Sequence, residues 1–359
     1  MDKNLTQALA LIEHESDAFS NKVFVSLSDL SRTEMALFQA AWGQWSLARR
    51  QQLMRALHDY AQEHVDIDYT AILLWALNDA DPVVRRLAIE GLWEDNDHAL
   101  IARLVQALRT DPDEDVRAVA AQALARFVLL GEYEEIPSAA AASAVETLFA
   151  ALASAAETAS VKQQALEAIG FASDERVRGL IEDAYDDEDE LTQASALRAM
   201  GNSADSYWNP LVRRELQSHS TAKRLAAVYA AGELELTTAV PRLIPLLSDP
   251  DLAMRRAAAQ ALGKIGGRSA RQALQLVIQG DDEALRPFAI EALEVLDFNH
   301  ASFSAHDTDD PALNLDDEDD NDDLDQDFAD DFDRDFDEDF DEDDFDDEDF
   351  DDDDDDDER

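Results

Sequence analysis

Basic residues recur along this 359-residue chain at a nearly fixed spacing. Arg85, Arg117, Lys162, Gln193, Arg224, Arg255 and Arg286 follow at steps of 32, 45, 31, 31, 31 and 31 residues, and five of the seven are arginine. Four residues ahead of each stands Asp81, Asp113, Thr158, Asp189, Ser220, Asp251 or Asp282. Two chemistries fit such a column. A basic rail along one surface would bind an acidic segment or phosphates. A structural ladder would bond each guanidinium to a cap carboxylate or to a carbonyl of a neighbouring repeat. The ladder is the preferred expectation, with Arg85, Arg117, Arg224, Arg255 and Arg286 matched by the carboxylates of Asp81, Asp113, Asp251 and Asp282. The second basic residues Arg86, Lys223 and Arg256, each beside a column arginine, are freer to meet a partner.

No catalytic constellation accompanies the column. The chain has no cysteine, which removes disulfides, thiol nucleophiles and thiolate metal sites together. Its seven histidines are scattered without a metal-ligand spacing. No glycine-rich phosphate loop, nucleophile elbow or triad is present. Neither catalytic residues, nor a metal site, nor a cofactor is expected, and the chain reads as a non-enzyme.

The charge is lopsided. Residues 307–359 hold 35 acids against two arginines, a charge of −33, which leaves −20 of the total −53 on the preceding 306 residues. So acidic a chain is a poor match for nucleic acid or for anionic membrane, and basic proteins or peptides are its natural partners. Within the tail, Leu324, Phe328, Phe332, Phe336 and Phe340 recur every four residues, then Phe345 and Phe350 at steps of five. Asp is a poor helix former and like charges repel, so the free tail is expected to be disordered. On a cationic surface the phenylalanine row would dock into apolar grooves, which makes Phe328, Phe332, Phe336 and Phe340 partner-binding candidates. The tail could equally fold back onto basic positions of its own chain.

These features need elements to hold them. Three residues after each column member comes alanine in all seven cases: Ala88, Ala120, Ala165, Ala196, Ala227, Ala258 and Ala289. Seven after come Leu92, Leu124, Ile169, Met200, Ala231, Leu262 and Leu293. Spacings of three and four define one helical face, and alanine suits close helix crossings. The residues four ahead are all N-cap types. A first helix lies upstream, marked by Leu73/Leu77, Leu104/Leu108, Leu148/Leu152, Ile181/Tyr185, Val212/Leu216, Leu243/Leu247 and Leu274/Ile278. Pro241 and Pro245 should kink the sixth of these, and Pro287 should delay or bend the last second helix. The 45-residue step marks an insertion containing VLLGEYEEIPSAAAAS, with Gly131 and Pro137 as breakers; a spacer that lengthens one helix is favoured over a binding loop.

The phrase DPDLAMRRAAAQALGKIGG (Asp249–Gly267) and its variants over residues 64–298 resemble HEAT-like repeats of the phycobilisome-lyase type. The third and fourth repeats depart from the pattern, with Lys162 and Gln193 in the arginine column. The resemblance implies an all-α fold, a right-handed α-solenoid of about seven helix pairs whose concave face binds a protein or peptide. It also implies, as an alternative, an accessory subunit for phycobilin (tetrapyrrole) attachment. HEAT-like deoxyhypusine hydroxylases carry iron on repeated His-Glu pairs, whereas His14-Glu15 is the one such pair here and lies outside the repeats.

Residues 1–63 are expected to form an N-terminal helical cap, 64–298 the solenoid, and 299–359 a linker and acidic tail. In the cap, Leu5–Glu13 reads as an amphipathic helix and Val23-Phe24-Val25 as a brief extended or buried piece. Ser31 and Glu34 have capping-box spacing, and a further helix from about Trp45 to His64 turns Leu47, Leu53, Met54, Leu57 and Tyr60 inward. Phe24, Phe38, Trp42 and Trp45 are read as core. The first 17 residues, MDKNLTQALALIEHESD, carry acids within their short apolar run, unlike a signal peptide, and no apolar run reaches membrane-spanning length. The expected location is cytoplasmic, and the expected function is a protein-interaction scaffold or chaperone-like adaptor.

Overall fold

The structure, a computed structural model, describes residues 3–13 and 19–306. All regular secondary structure among them is helical. Among the described residues no helix is long and apolar enough to cross a membrane.

Four helices come first: α1 (Lys3–Glu13), α2 (Asn21–Leu27), α3 (Arg32–Trp42) and α4 (Leu47–Glu63). The Val23-Phe24-Val25 piece is helical, not extended. Val23, Phe24 and Leu27 share one buried face of α2, and that burial outweighs the β preference of the two valines. Ser31 and Glu34 close a capping box at the start of α3. Leu53, Met54 and Leu57 of α4 point inward, but Leu47 in its first turn stays exposed. Phe38, Trp42, Trp45 and Trp75 pack together, Trp42 meeting Trp75 edge-on at 5.4 Å, and Trp42 Nε1 donates to Asp79 at 2.8 Å. These rings are core, and they join the first four helices to the repeats.

Seven helix pairs follow. They are α5 (Thr70–Ala76) with α6 (Pro82–Gly91), α7 (Ala99–Thr110) with α8 (Glu114–Glu132), α9 (Ser138–Ala153) with α10 (Ala159–Ile169), α11 (Glu175–Tyr185) with α12 (Glu190–Asn202), α13 (Asn209–Glu215) with α14 (Thr221–Glu233), α15 (Val240–Leu243) with α16 (Leu252–Ile265), and α17 (Gly267–Gln279) with α18 (Arg286–His306). Second helices pack on second helices, α4 on α6, α6 on α8, and so on through α14 on α16. The fold is an α-solenoid. The alanine column is its seam: all seven alanines have 0% exposure.

Each second helix starts where a side-chain oxygen can take an orphan N–H. Asp81, Asp113, Thr158, Asp189 and Asp251 each accept from a backbone N–H two or three residues on. Ser220 differs, its hydroxyl donating to Glu190 at 2.7 Å. Asp282 accepts from Ala284 and Leu285, and α18 begins only at Arg286, because Pro287 fits no later than the first helical turn. Pro241 and Pro245 break the sixth first-helix into the 3₁₀ turn Thr237–Ala239, the short α15, and the 3₁₀ segment Ile244–Ser248.

The insertion lengthens two helices, α8 to 19 residues and α9 to 16. Gly131 is not a breaker. It sits within α8, where a Cβ would come 2.5 Å from the Cβ of Ala141 on α9, so it permits a close crossing. The chain turns at Glu134, which has a positive φ of 58°.

Candidate functional site

Six of the seven column side chains reach the equivalent backbone group. Arg85, Arg117, Gln193, Arg224, Arg255 and Arg286 each donate to the carbonyl six residues earlier, in the turn between the two helices of their own repeat, at 2.7–2.9 Å. This anchor leaves the Nε/Nη2 edge of some arginines turned toward the following repeat. There Arg85 grips Asp111 at 2.8 and 2.7 Å, and Arg117 grips Glu157 at 3.1 and 2.9 Å. Arg255 Nε lies 3.0 Å from Asp282. The carboxylate partners of Arg85 and Arg117 therefore stand one or two residues before the caps Asp113 and Thr158. Asp81, Asp113 and Asp251 spend oxygens on helix N–H groups instead.

The hydrogen bonds that Asp111 and Glu157 accept raise the pKa of Arg85 and Arg117 above the ordinary guanidinium value. Burial pushes the Glu157 carboxyl upward, but Arg117, the Thr158 N–H and the charge of Lys162 overcome it and hold the group below the usual carboxylate range.

The three freer cations are on different helices. Arg86 on α6 pairs with Glu90 at 2.6 Å. Lys223 on α14 lies 3.2 Å from the buried Glu215 and 5.5 Å from the centre of the Tyr185 ring. Arg256 on α16 is exposed and stacks 3.9 Å over Phe288. Three repeats separate Arg86 from Lys223, so the trio forms no single patch. Phe328, Phe332, Phe336 and Phe340, and the His14-Glu15 pair, lie outside the described residues.

A different place gathers binding chemistry. On the second-helix layer an apolar groove of about 760 Å³ runs between α4, α6 and α8 and reaches Phe171 after α10. Its floor and walls include Ile89, Val119, Ala123 and Leu129, with Trp93 57% exposed at the side. His58, Gln62, Glu90 and Gln122 supply polar groups at its edges. Arg126 is the charged member. Its Nη1 donates to the Trp93 carbonyl, its guanidinium lies 4.6 Å from the Phe127 ring centre, and Nε and Nη2 find no acceptor among the described residues. Burial lowers its pKa, and the charge of Asp95 only partly offsets that.

Sequence reasoning had passed over Trp93, Arg126 and Phe171. The signal was present eight residues after the column, where Gly170, Gly201, Gly232 and Gly263 stand in the later repeats and Trp93 and Ala125 in the first two. At those glycines a Cβ would approach an alanine of the next second helix to within 2.6–2.9 Å, so the helices there are in near backbone contact. Trp93 cannot occupy such a crossing, and beside it the layer opens into the groove.

Further along the same layer the side chains are tied together. Ser195 donates to Glu167 at 2.8 Å, Asn202 donates to the Glu167 carbonyl at 2.8 Å, and Tyr229 donates to Asn202 at 2.6 Å. Burial raises the pKa of Glu167, against the Ser195 bond and the charge of Arg198, and burial likewise raises that of Tyr229. A smaller groove of about 220 Å³ lies between α14, α16 and α18, bordered by Tyr229, Gln260, Lys264, Glu291 and Val295. No group of His, Asp or Glu among the described residues could hold a metal ion.

Residues 70–145 and 209–294 match the family model for HEAT repeats. The stretch between them holds the repeats with Lys162 and Gln193 in the arginine column, and helix pairs continue through it. No curated protein matches the sequence. Among solved structures, the complex of CpcE and CpcF of phycocyanin lyase from Nostoc sp. is similar at 20% identity, covering 64% of this chain and 94% of that one, with a TM-score of 0.41. Human deoxyhypusine hydroxylase is similar at 17% identity over 82% of this chain and 96% of that one, with a TM-score of 0.33. Importin beta is similar at 17% identity, with a TM-score of 0.38; the match spans 84% of this chain and 45% of importin beta.

Proposed function

The chain is a HEAT-like repeat protein, and we propose that it works as a non-enzymatic scaffold that holds a basic protein partner. The apolar groove of α4, α6 and α8 takes an apolar segment of that partner. The acidic excess of residues 307–359 draws the partner in and adds contacts that salt weakens.

One observation carries this reading: a groove of about 760 Å³ lined by apolar side chains, with an exposed tryptophan at its edge. Tryptophan in a concave apolar site is the residue type that most often dominates a protein interface, and its truncation there costs about 2 kcal/mol or more. The polar groups of His58, Gln62, Glu90, Gln122 and Arg126 stand around a mainly apolar lining, which suits a side chain of a polypeptide better than a small polar substrate.

The test is affinity capture with the full chain and with its Trp93→Ala variant, each at low and at high salt. The expected result is a basic polypeptide that the wild type retains, that the variant loses, and that salt releases in part. A variant that retains every polypeptide held by the wild type would contradict the reading.

A further inference from the structure

Arg126, on α8 at the apolar groove, repeats the geometry of two arginine clamps that are complete elsewhere in the chain. Arg85 places Nη1 on the Asp79 carbonyl and its Nε/Nη2 edge on Asp111, at 2.8 and 2.7 Å. Arg117 places Nη1 on the Asp111 carbonyl and the same edge on Glu157, at 3.1 and 2.9 Å. Arg126 likewise places Nη1 on a carbonyl, that of Trp93, but its Nε and Nη2 are buried and meet no acceptor among the described residues. That edge is the half of the guanidinium fork that takes both oxygens of a carboxylate. Buried N–H groups without an acceptor are costly, so an acceptor that reaches them is held firmly.

The chain's own acids do not supply it. Glu90 at the groove is held by Arg86 at 2.6 Å, and Asp95 accepts the Asp97 N–H at 2.9 Å. Glu94 is the residue equivalent to Glu233, which pairs with Lys264 at 2.5 Å, yet Glu94 is exposed and makes no ion pair among the described residues.

We propose that Arg126 selects what enters the Trp93 groove: a partner segment in which an acidic side chain stands next to an apolar or aromatic one. The apolar side chain lies on Ile89, Val119 and Ala123 beside Trp93, and the carboxylate takes the Nε/Nη2 edge of Arg126 as Asp111 takes that of Arg85. Because that edge is covered in the free protein, the carboxylate engages it as the Arg126 side chain turns toward the groove. Charge complementarity sets this occupant, since the groove's arginine lacks a carboxylate while its glutamate already has an arginine. The inference rests on the reading that a partner polypeptide enters this groove, and it names the chemistry of the segment that enters. A partner that is basic as a whole, and so drawn by residues 307–359, carries one acidic residue in that segment.

The probes are two libraries of short peptides blocked at both ends, with a central phenylalanine and random flanks. One library has glutamate beside the phenylalanine and the other has glutamine. Retention is measured on the full chain, on Arg126→Gln, on Arg126→Lys and on Trp93→Ala, with circular dichroism confirming the fold. Decanoate is offered separately as a small apolar carboxylate. The wild type is expected to retain roughly ten times as much of the glutamate library as of the glutamine library, or more. Arg126→Gln should abolish that preference, Arg126→Lys should restore part of it because an ammonium lacks the fork, and Trp93→Ala should weaken both libraries. The proposal is overturned if the wild type retains the two libraries equally, if Arg126→Gln keeps the preference, or if decanoate binds and neither library does. Equal retention that is lost on Trp93→Ala defeats this inference alone and leaves the groove reading intact. Retention untouched by Trp93→Ala defeats the groove reading and this inference with it.

Discussion

Replacing Gly263 by alanine tests how the second helices are held together. In an exposed helix this change stabilises by about 1 kcal/mol, because alanine restricts the unfolded chain and favours the helix. At Gly263 the new Cβ would lie 2.6 Å from the Ala292 carbonyl oxygen and 2.9 Å from the Ala292 Cα and Cβ, where ordinary contacts are 3.4–4 Å. Two of these are backbone atoms of α18 and the third a Cβ, so no flexible side chain can yield. Helix α18 must move back by about 0.5–0.8 Å, loosening the crossing along its length. Overpacking of this kind costs about 1–3 kcal/mol, and set against the propensity gain of about 1 kcal/mol the net effect is a loss of up to about 2 kcal/mol. Gly179, within α11, is the control: a Cβ there meets nothing within 4 Å, so Gly179→Ala should stabilise by about 0.5–1 kcal/mol. Urea unfolding followed by far-ultraviolet circular dichroism reads both as midpoint shifts of opposite sign. If Gly263→Ala stabilises as much as Gly179→Ala, the helices do not cross in near backbone contact there.

Three further expectations concern stability. Glu235 has a φ of +48°, in the left-handed region where a Cβ costs about 1–2 kcal/mol, so Glu235→Gly should raise the urea midpoint by the equivalent of about 0.5–1 kcal/mol. Glu157→Gln removes the charge partner of Arg117 and should destabilise by about 1.5–3 kcal/mol near neutral pH. Because the Glu157 pKa is lowered in the fold, the wild type's advantage is full above the ordinary Glu value of 4.5 and fades as pH falls through the lower folded value. Glu167→Gln should show the opposite slope. Burial raises the Glu167 pKa, so the wild type loses stability relative to the variant as pH rises from 4.5 through the folded value, and denaturation midpoints across pH check both signs.

The solenoid was legible because its determinants are side chains at fixed spacing. Alanine at seven equivalent positions, a cap oxygen ahead of every second helix but the one that follows Ser220, and prolines that break one helix and delay another all act locally, and the structure shows them at work. What lay hidden depends on backbone or on neighbours far along the chain. The carbonyl that anchors six of the seven column side chains has no sequence signature, so the sequence matches the carboxylates to the cap positions, whereas Asp111 and Glu157, just ahead of the caps, pair with Arg85 and Arg117, and Arg255 alone of these three meets a cap carboxylate, Asp282. The α2 segment reads as a brief extended or buried piece; Val23 and Phe24 are buried, and their packing with Leu27 sets a helix that the valines do not announce. Leu47 looks apolar enough to point inward, yet it sits in the first turn of α4 on the open side. Gly131 reads as a breaker and serves as a crossing point, because a glycine's role depends on what approaches it. The Trp93 groove was readable only as a deviation, a tryptophan where later repeats place glycine. The tail residues singled out by spacing, Phe328 to Phe340, lie outside the described residues.

The most direct test of the scaffold reading is a photo-crosslinking map on the full chain. A photoreactive side chain is placed singly at Trp93 and Gln122 in the groove, and at Gly179 and Gln106, exposed on first helices. The account predicts that one basic polypeptide crosslinks from Trp93 and Gln122 and not from Gly179 or Gln106. Crosslinking from the first-helix positions alone, or equally from all four, would contradict it.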